Sequence, residues 1–377
     1  MGTLYDYLKW RGDLTFTEAP LNEVDSLIFS LLSYLDLKGI VPETHQDSSV
    51  PIKAAANSFF AKNPDPKKIS MGVIVPKQIV TLFRTVKNTR RFRNVEMRAY
   101  TNVIDTQKEM QFSAMTFFPG DGTMLIAYRG TDDTLVGWKE DFNMSFLPAV
   151  PAQIAAAEYL NHAADYFDGD IRLTGHSKGG NLAVYAAVNC KKEVKPRLTQ
   201  VWSNDGPGFG EGTLNNPDYI EMRPIIKSIV PQSSVVGMLL EHDENYTVVK
   251  SRQAGLFQHD GFTWNIMGGS FVHLADVTGE CKRMDRTLNT WIKKMSPEQR
   301  EQFAEAIYQL LSANDALTLT DLLSLSKSKR TKKGTPLDPE VHKTIQKTLA
   351  ALVELNTKNI LNDIFQKKKM NKKDPAK

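Results

Sequence analysis

The segment of this chain best suited to chemistry is a serine between two glycines, placed after a run of strand-forming residues. Residues 171–174 form a predicted strand, Gly175-His176-Ser177-Lys178-Gly179 follows, and residues 182–188 are predicted to be helical. A Gly-x-Ser-x-Gly sequence between strand and helix is typical of a nucleophile elbow, where a strained turn exposes the serine hydroxyl at the sheet edge. Small residues at 180, 183, 186 and 187 suit close packing of that helix. The sequence therefore predicts Ser177 as the nucleophile of an acyl-transfer reaction.

Such a nucleophile requires hydrogen-bond donors for the oxyanion of the tetrahedral intermediate. The backbone N–H of Lys178 is one candidate, because it lies at the start of the predicted helix, where the helix dipole also favours negative charge. A second donor is expected from a loop after an earlier strand. The segment Tyr128-Arg-Gly-Thr131, followed by Trp138 and Asp141, ends such a strand.

Together these motifs resemble those of the class 3 lipases, and more closely those of a bacterial branch of lipase-like α/β-hydrolase proteins related to them. The shared features are a strand ending in Tyr-Arg-Gly-Thr, a Trp and an Asp soon afterwards, and Gly-His-Ser-x-Gly-Gly-x-Leu-Ala. The resemblance covers roughly residues 70–275. It implies an α/β-hydrolase fold, hydrolysis of carboxylic esters, and Thr131 in the oxyanion role. It also implies that residues 132–147 can serve as a lid, with an ordinary amphipathic surface helix as the alternative.

The general base is expected downstream, because the chain order in this fold is serine, acid, histidine. His259 is the favoured base, since its loop follows the last predicted strand. His242, which precedes that strand, is the main rival. His273 and His342 are expected to be structural or exposed, and His176 is expected to have a packing role.

The acid is less clearly indicated by the sequence. Class 3 lipases place an Asp after the strand that corresponds to residues 225–230, but the segment that follows here contains no carboxylate. Asp205 follows the preceding strand at the same predicted sheet edge and is the favoured acid, with an Asp-Gly turn as its alternative role. Glu241, Asp243 and Asp260 remain candidates, as does a Ser-His dyad supported by a side-chain hydroxyl.

These residues must be positioned by alternating strands and helices. Two β-rich runs, 112–118 and 124–128, flank the turn sequence Pro119-Gly-Asp-Gly122 and predict a hairpin. Further strands are predicted at 171–174, 201–203, 225–230 and 246–251. Buried strands that alternate with helices indicate a largely parallel sheet covered on both faces. We therefore expect an α/β-hydrolase domain over residues 71–285.

Helical segments are predicted on both sides of this domain. In residues 1–70, apolar side chains at 24, 27, 28, 31, 32 and 35 predict an amphipathic surface helix with Asn22 as its N-cap, docked on the main domain. In residues 286–366, Ser296-Pro-Glu-Gln has the form of a capping box. A second helix is predicted from Pro339 to Gln366, and residues 367–377 form a basic tail.

Composition and charge narrow the expected partners and cofactors. The net charge of +4 is concentrated in residues 327–333 and 367–377, so the rest of the chain is mildly acidic. These basic runs are typical of a solvated linker and tail, with weak contact to RNA or an anionic membrane as the alternative. Nucleic acid is therefore not the favoured partner. The dispersed histidines and two distant cysteines predict no metal site, and the expected chemistry needs no cofactor.

The expected location is cytoplasmic. Cys190 and Cys281 are too few for a disulfide scaffold, and the chain shows neither a secretory signal nor an apolar run long enough to span a bilayer. The leading hypothesis is a serine hydrolase that acts on a small-molecule or lipid ester. A non-catalytic α/β-hydrolase-like protein that binds a lipid or a partner is the alternative, motivated by the missing carboxylate after residue 230.

Overall fold

A computed structural model describes residues 2–46, 48–72, 75–210, 212–243 and 245–312, together with residue 318. The predicted helix at 339–366, the basic segments at 327–333 and 367–377, and His342 lie outside the described residues.

Helices and strands alternate along most of the chain. The N-terminal part contains α1 (Leu4–Arg11), α2 (Glu23–Leu32), β1 (Val50–Pro51), α3 (Ile52–Lys62) and α4 (Gln78–Val86). The central part contains β2 (Glu96–Asp105), β3 (Met110–Phe118), β4 (Met124–Tyr128), α5 (Leu135–Asn143), α6 (Pro151–Ala164), β5 (Ile171–His176), α7 (Lys178–Asn189) and β6 (Leu198–Asn204). The C-terminal part contains α8 (Pro217–Met222), β7 (Ile226–Pro231), β8 (Thr247–Val249), β9 (Ile266–Met267), β10 (Ser270–Phe271), β11 (His273–Leu274), α9 (Gly279–Lys293) and α10 (Pro297–Ser312).

One sheet carries the site, with the strand order β1-β2-β3-β4-β5-β6-β7-β8-β11. Strands β4 to β8 run parallel, whereas β1 to β4 pair antiparallel and β11 is antiparallel to β8. The predicted hairpin is the β3–β4 pair. Because β4 to β8 are parallel, their carboxyl ends meet at one edge of the sheet. The parallel centre and the helices on both faces confirm the predicted α/β-hydrolase fold.

Alternate residues of the strands face two separate hydrophobic layers. In β4, Leu125 and Ala127 pack in the layer that contains α2, whereas Ile126 and Tyr128 pack in the layer that contains α6 and α7. This alternation follows from the two-residue repeat of a strand. Both faces of the central sheet are therefore covered by helices.

Helix α2 is buried around its whole circumference and does not expose one face to solvent. All residues from Val24 to Leu32 are buried, although the apolar spacing predicted a surface helix. The helix lies on β5, where the Ser30 hydroxyl is 2.8 Å from the Thr174 hydroxyl. The predicted cap is present, since Asn22 Oδ1 accepts hydrogen bonds from two backbone N–H groups of the first turn. The expectation of an exposed polar face was wrong because small serines and one paired carboxylate fill that face.

The paired carboxylate is Asp25, which binds Arg91 in the interior. Arg91 donates two hydrogen bonds to Asp25, at 2.9 and 2.5 Å, and both side chains are fully buried. The Tyr7 hydroxyl donates to Asp25 at 2.7 Å. Removing either member would leave a buried charge without its partner, which is strongly destabilising. This ion pair therefore ties α1 and α2 to the segment that leads into β2.

The C-terminal helices pack on the sheet domain. Ser296 and Gln299 exchange the backbone-to-side-chain hydrogen bonds of the predicted capping box, at 3.3 and 2.9 Å, at the start of α10. Helix α10 packs on α5, and the Phe142 and Phe303 rings meet at 6.2 Å between centroids. Among the helices described, none is long and apolar enough to cross a membrane.

Candidate active site

Ser177 lies in a left-handed turn between β5 and α7. Its φ is 59° and its ψ is −136°, a conformation that side-chain-bearing residues rarely adopt. The neighbouring elements approach too closely for side chains. A Cβ on Gly175 would lie 2.0 Å from the backbone of Gly179, and a Cβ on Gly179 would lie 2.1 Å from the Tyr128 carbonyl oxygen. The two glycines of the motif therefore permit the geometry of an elbow, and Ser177 lines a cavity at the sheet edge.

The predicted base and acid are hydrogen-bonded to each other. His259 ends a short 3₁₀ helix after β8, and its Nδ1 lies 2.7 Å from Oδ2 of Asp205, which follows β6. An ionised carboxylate only accepts hydrogen bonds, so the imidazole donates from Nδ1 and leaves Nε2 able to accept a proton. His259 lines the same cavity as Ser177, and Asp205 is fully buried behind it.

The loop after β7 supplies donors to Asp205 instead of supplying the acid. Ser234 Oγ donates to Asp205 Oδ1 at 2.5 Å, and the backbone N–H of Gly237 donates to the same oxygen at 3.2 Å. This is the segment in which the sequence lacked a carboxylate. Ser234 was not predicted from the sequence, although its hydroxyl in this segment was the available signal.

The rival acids and bases have partners elsewhere. Glu241 accepts from Lys293 at 3.1 Å, and Asp243 pairs with Arg223. Asp260 lines the cavity but accepts from the backbone N–H of Phe262, where it caps a 3₁₀ turn. His242 Nδ1 contacts the carbonyl of Leu240 at 3.3 Å, and His273 Nε2 contacts Glu23 at 2.8 Å. Of the predicted pairs, the structure joins His259 with Asp205.

The predicted oxyanion residues lie beside the serine. Thr131 and Lys178 line the cavity with Ser177, and Thr131 Oγ1 donates to Asp141 Oδ2 at 2.6 Å. The loop before Thr131 packs tightly on the elbow, because a Cβ on Gly130 would lie 2.5 Å from the His176 carbonyl oxygen. Asp141 therefore fixes the side chain of Thr131, while the elbow fixes the loop that carries it. The role of both backbone amides toward an oxyanion stays a prediction.

The side chain of Lys178 turns away from the cavity into a buried polar cluster. Its Nζ donates to Glu140 Oε2 at 2.9 Å, and to the carbonyl and side-chain oxygens of Gln111 at 3.0 and 2.8 Å. Glu140 also accepts from the backbone N–H groups of Gln111 and Ala152. The cluster was not foreseen from the sequence, because its members are far apart along the chain. It joins the first residue of α7 to α5, α6 and β3.

The predicted lid segment, residues 132–147, contains α5. This helix buries Leu135, Val136 and Glu140 on its inner side, and α10 packs against it. Because Glu140 is ion-paired inside the protein, α5 is anchored to the elbow. It forms a wall of the cavity and differs in this respect from an ordinary amphipathic surface helix.

The cavity has a volume of about 980 Å³ and is mainly apolar. Its walls include side chains from α5, from the loop after β7, and from α9 and α10: Trp138, Phe142, Val236, Leu239, Leu288, Trp291 and Phe303. The C-terminal helices thus contribute directly to the site. Within the described part of the chain, Trp138 Nε1 and Asp141 Oδ1 are buried polar atoms without a hydrogen-bond partner.

In the ranges that the structure describes, no three or more His, Cys, Asp or Glu side chains are grouped so as to hold a metal ion.

A parallel sheet that places its serine elbow and its His-Asp pair around one apolar cavity is the arrangement of the lipase-like α/β-hydrolases. The model of the Mbeg1-like family matches residues 86–309, from the last residue of α4 into α10, and the chain belongs to that family. The match crosses the domain boundary predicted at residue 285.

Comparison with other proteins gives remote similarities. No curated protein sequence matches the chain. Among solved structures, the chain is similar to the Rhizomucor miehei lipase propeptide complex, with 14% identity, a TM-score of 0.33, and coverage of 58% of this chain and 79% of that one. It is also similar to M37 lipase, with 17% identity, a TM-score of 0.32, and coverage of 56% and 68%.

We predict that Glu140→Gln lowers the free energy of unfolding by up to about 3–5 kcal/mol, because the buried ammonium of Lys178 loses the carboxylate that it contacts at 2.9 Å and retains Asp141 at 3.9 Å. Urea denaturation measures this change. Glu305→Gln is the matched control. Glu305 is a half-exposed carboxylate of α10 that pairs with Lys139, a neighbour of Glu140 in α5. The control should change stability little. Equal effects of the two substitutions would contradict a special role for the buried pair.

The pKa of Asp141 predicts how the stability of the protein depends on pH. Burial raises the pKa of Asp141 to about 6, against the opposing effects of Lys178 and of the Thr131 hydroxyl. The folded protein therefore binds this proton more tightly than the unfolded chain, so the stability contributed by Asp141 falls as the pH rises from about 4 to about 6. Asp141→Asn removes this dependence.

The stability of Asp141→Asn relative to wild type should therefore rise between about pH 4 and 6 and then level off. Urea denaturation of both proteins across this interval measures the difference. A difference that is flat with pH would show that Asp141 titrates normally.

Proposed function

We propose that the protein is a serine ester hydrolase that works through an acyl-enzyme on Ser177. The observation that carries the proposal is the 2.7 Å hydrogen bond between His259 and Asp205, at the cavity that Ser177 lines. A buried carboxylate bonded to Nδ1 selects the imidazole tautomer in which Nε2 is the acceptor and stabilises the imidazolium that forms during reaction. The turn at Ser177 is of the kind that presents a nucleophile.

The proposed reaction has two halves. His259 Nε2 takes the proton of Ser177 as Oγ attacks the ester carbonyl, and the backbone N–H groups of Thr131 and Lys178 bind the oxyanion. The intermediate collapses, and the alcohol leaves with the proton from His259. Water then attacks the acyl-enzyme with His259 again as base, which releases the carboxylic acid and restores Ser177. Water is the only co-reactant.

The cavity supports an ester with an apolar acyl part as the substrate. Its volume lies at the upper end of the range for small-molecule pockets, and its walls are mostly aliphatic and aromatic. Such walls favour burial of a hydrocarbon chain. A lipid ester or a small apolar ester fits this description.

The alternative, a non-catalytic binding protein, was motivated by the missing carboxylate after β7. Asp205 places a carboxylate on the imidazole from the preceding strand instead, which favours the enzyme. For the location we propose the cytoplasm, because Cys190 and Cys281 are both buried free thiols.

Ser177→Ala should abolish hydrolysis of p-nitrophenyl esters, with a loss of at least about 10³-fold, and should abolish labelling by a fluorophosphonate probe. His259→Ala should be nearly as damaging, because members of one catalytic unit are not additive. His242→Ala is the matched control, since His242 lies outside the cavity lining, and it should stay close to wild type. Equal turnover by wild type and Ser177→Ala would refute the proposed function.

Asp205→Asn tests the acid. The amide favours the wrong tautomer of His259 and cannot stabilise the imidazolium, so we expect turnover to fall by roughly 10²–10⁴-fold with little change in substrate KM. A purely structural turn role predicts near-normal activity, since Asn tolerates this backbone conformation well. Steady-state kinetics, with circular dichroism as the control for folding, decide between the two.

A further inference from the structure

His176 connects the strand that carries the serine to the loop that carries the proposed base. It is the last residue of β5, directly before Ser177, and its Nε2 lies 2.8 Å from the backbone carbonyl oxygen of His259. A carbonyl oxygen accepts but never donates, so Nε2 of His176 carries the proton and donates it. One hydrogen bond therefore links the two elements whose relative position the reaction depends on.

The ring of His176 also contacts the ring of His259. The ring centroids are 4.6 Å apart and the planes are inclined by 32°. His259 is thus held in three ways: at its carbonyl oxygen and ring face by His176, and at Nδ1 by Asp205. These contacts restrict both the backbone position and the orientation of the imidazole.

The surroundings of His176 favour its neutral form. Nδ1 lies 3.3 Å from the hydroxyl of Tyr34, which can donate to it when the ring is neutral. Burial, assisted by the nearby His259, lowers the pKa of His176 to about 3. A neutral ring can stay in contact with His259 when the latter becomes an imidazolium, whereas a charged ring would repel it.

We propose that His176 is a positioning residue that holds the base loop in register with the nucleophile through its hydrogen bond to the His259 carbonyl. The inference rests on the proposed function, because it concerns the geometry of the same reaction. The sequence predicted a packing role for His176 because it points away from the serine on the strand, and the hydrogen bond adds a second role. A displacement of a catalytic group by about 1 Å can cost on the order of 100-fold in rate.

Two substitutions separate the hydrogen bond from the ring. His176→Gln keeps an N–H donor at about the place of Nε2 but removes the aromatic ring, whereas His176→Phe keeps a flat ring and removes the donor. His45→Phe is the control for loss of a buried histidine. His45 is buried, contacts the rings of Tyr159 and His162 edge to face at centroid distances of 4.7 and 4.8 Å, and does not line the cavity.

For hydrolysis of a p-nitrophenyl ester by the full chain, His176→Phe should lower kcat by about 10- to 100-fold and leave KM within about twofold. His176→Gln should retain kcat within about threefold, and His45→Phe should match wild type. A normal kcat in His176→Phe, or equal losses in the Phe and Gln variants, would overturn the proposal. Thermal unfolding of each variant excludes loss of the fold as the cause.

A measurement independent of activity separates this inference from the proposed function. In protein labelled with ¹⁵N-histidine, we expect His176 in the Nε2–H tautomer in wild type and His45→Phe. The Nδ1–H resonance of His259 should be protected in wild type, His176→Gln and His45→Phe. In His176→Phe, the His259 resonance should broaden through exchange. A wild type that neither hydrolyses esters nor reacts with the fluorophosphonate probe would defeat the proposed function. A sharp, unchanged His259 resonance in His176→Phe would defeat the positioning role even if the enzyme is active.

Discussion

The left-handed turn at Ser177 requires strands β4 and β5 and helix α7 to approach each other with no side chain between them. A non-glycine residue in such a conformation costs of the order of 1–3 kcal/mol, and it persists only where the surrounding structure determines it. Gly175 and Gly179 allow the close approach, and the buried small residues of α7 keep the helix against the sheet. The loop that carries Thr131 packs on this turn, so the position of Thr131 in the cavity wall follows from it.

Local sequence predicted this turn well, because its requirements lie within a few consecutive residues. The strand, the two glycines and the helix of small residues follow one another in the chain. The β3–β4 hairpin was predicted for the same reason, because its two strands and its turn are consecutive in sequence. Asp205 was predicted from topology, since parallel strands end at one sheet edge. Its contact with His259 matches the favoured pair. The carboxylate follows β6, and the loop after β7 contributes the hydroxyl of Ser234.

Local sequence patterns did not predict the interactions between residues that are far apart along the chain. Glu140 and Lys178 meet across 38 positions of the chain, and neither residue type indicates burial by itself. Helix α2 has the apolar spacing of a surface helix, and nothing local reveals that Arg91 neutralises its carboxylate. Helix α3 lies in a region without clear periodicity. The contribution of α9 and α10 to the cavity was missed for the same reason, because it depends on how those helices dock.

The buried position of α2 has a practical consequence for dissecting this protein into fragments. The match to the Mbeg1-like family begins at residue 86, but one face of the central sheet is covered by a helix that ends at Leu32. A fragment cut at the family boundary would expose Phe117 and Leu125 to water and leave the guanidinium of Arg91 without its carboxylate. Exposed apolar sheet surface of this kind drives aggregation during expression. The unit that folds is therefore larger than the unit that the family similarity outlines.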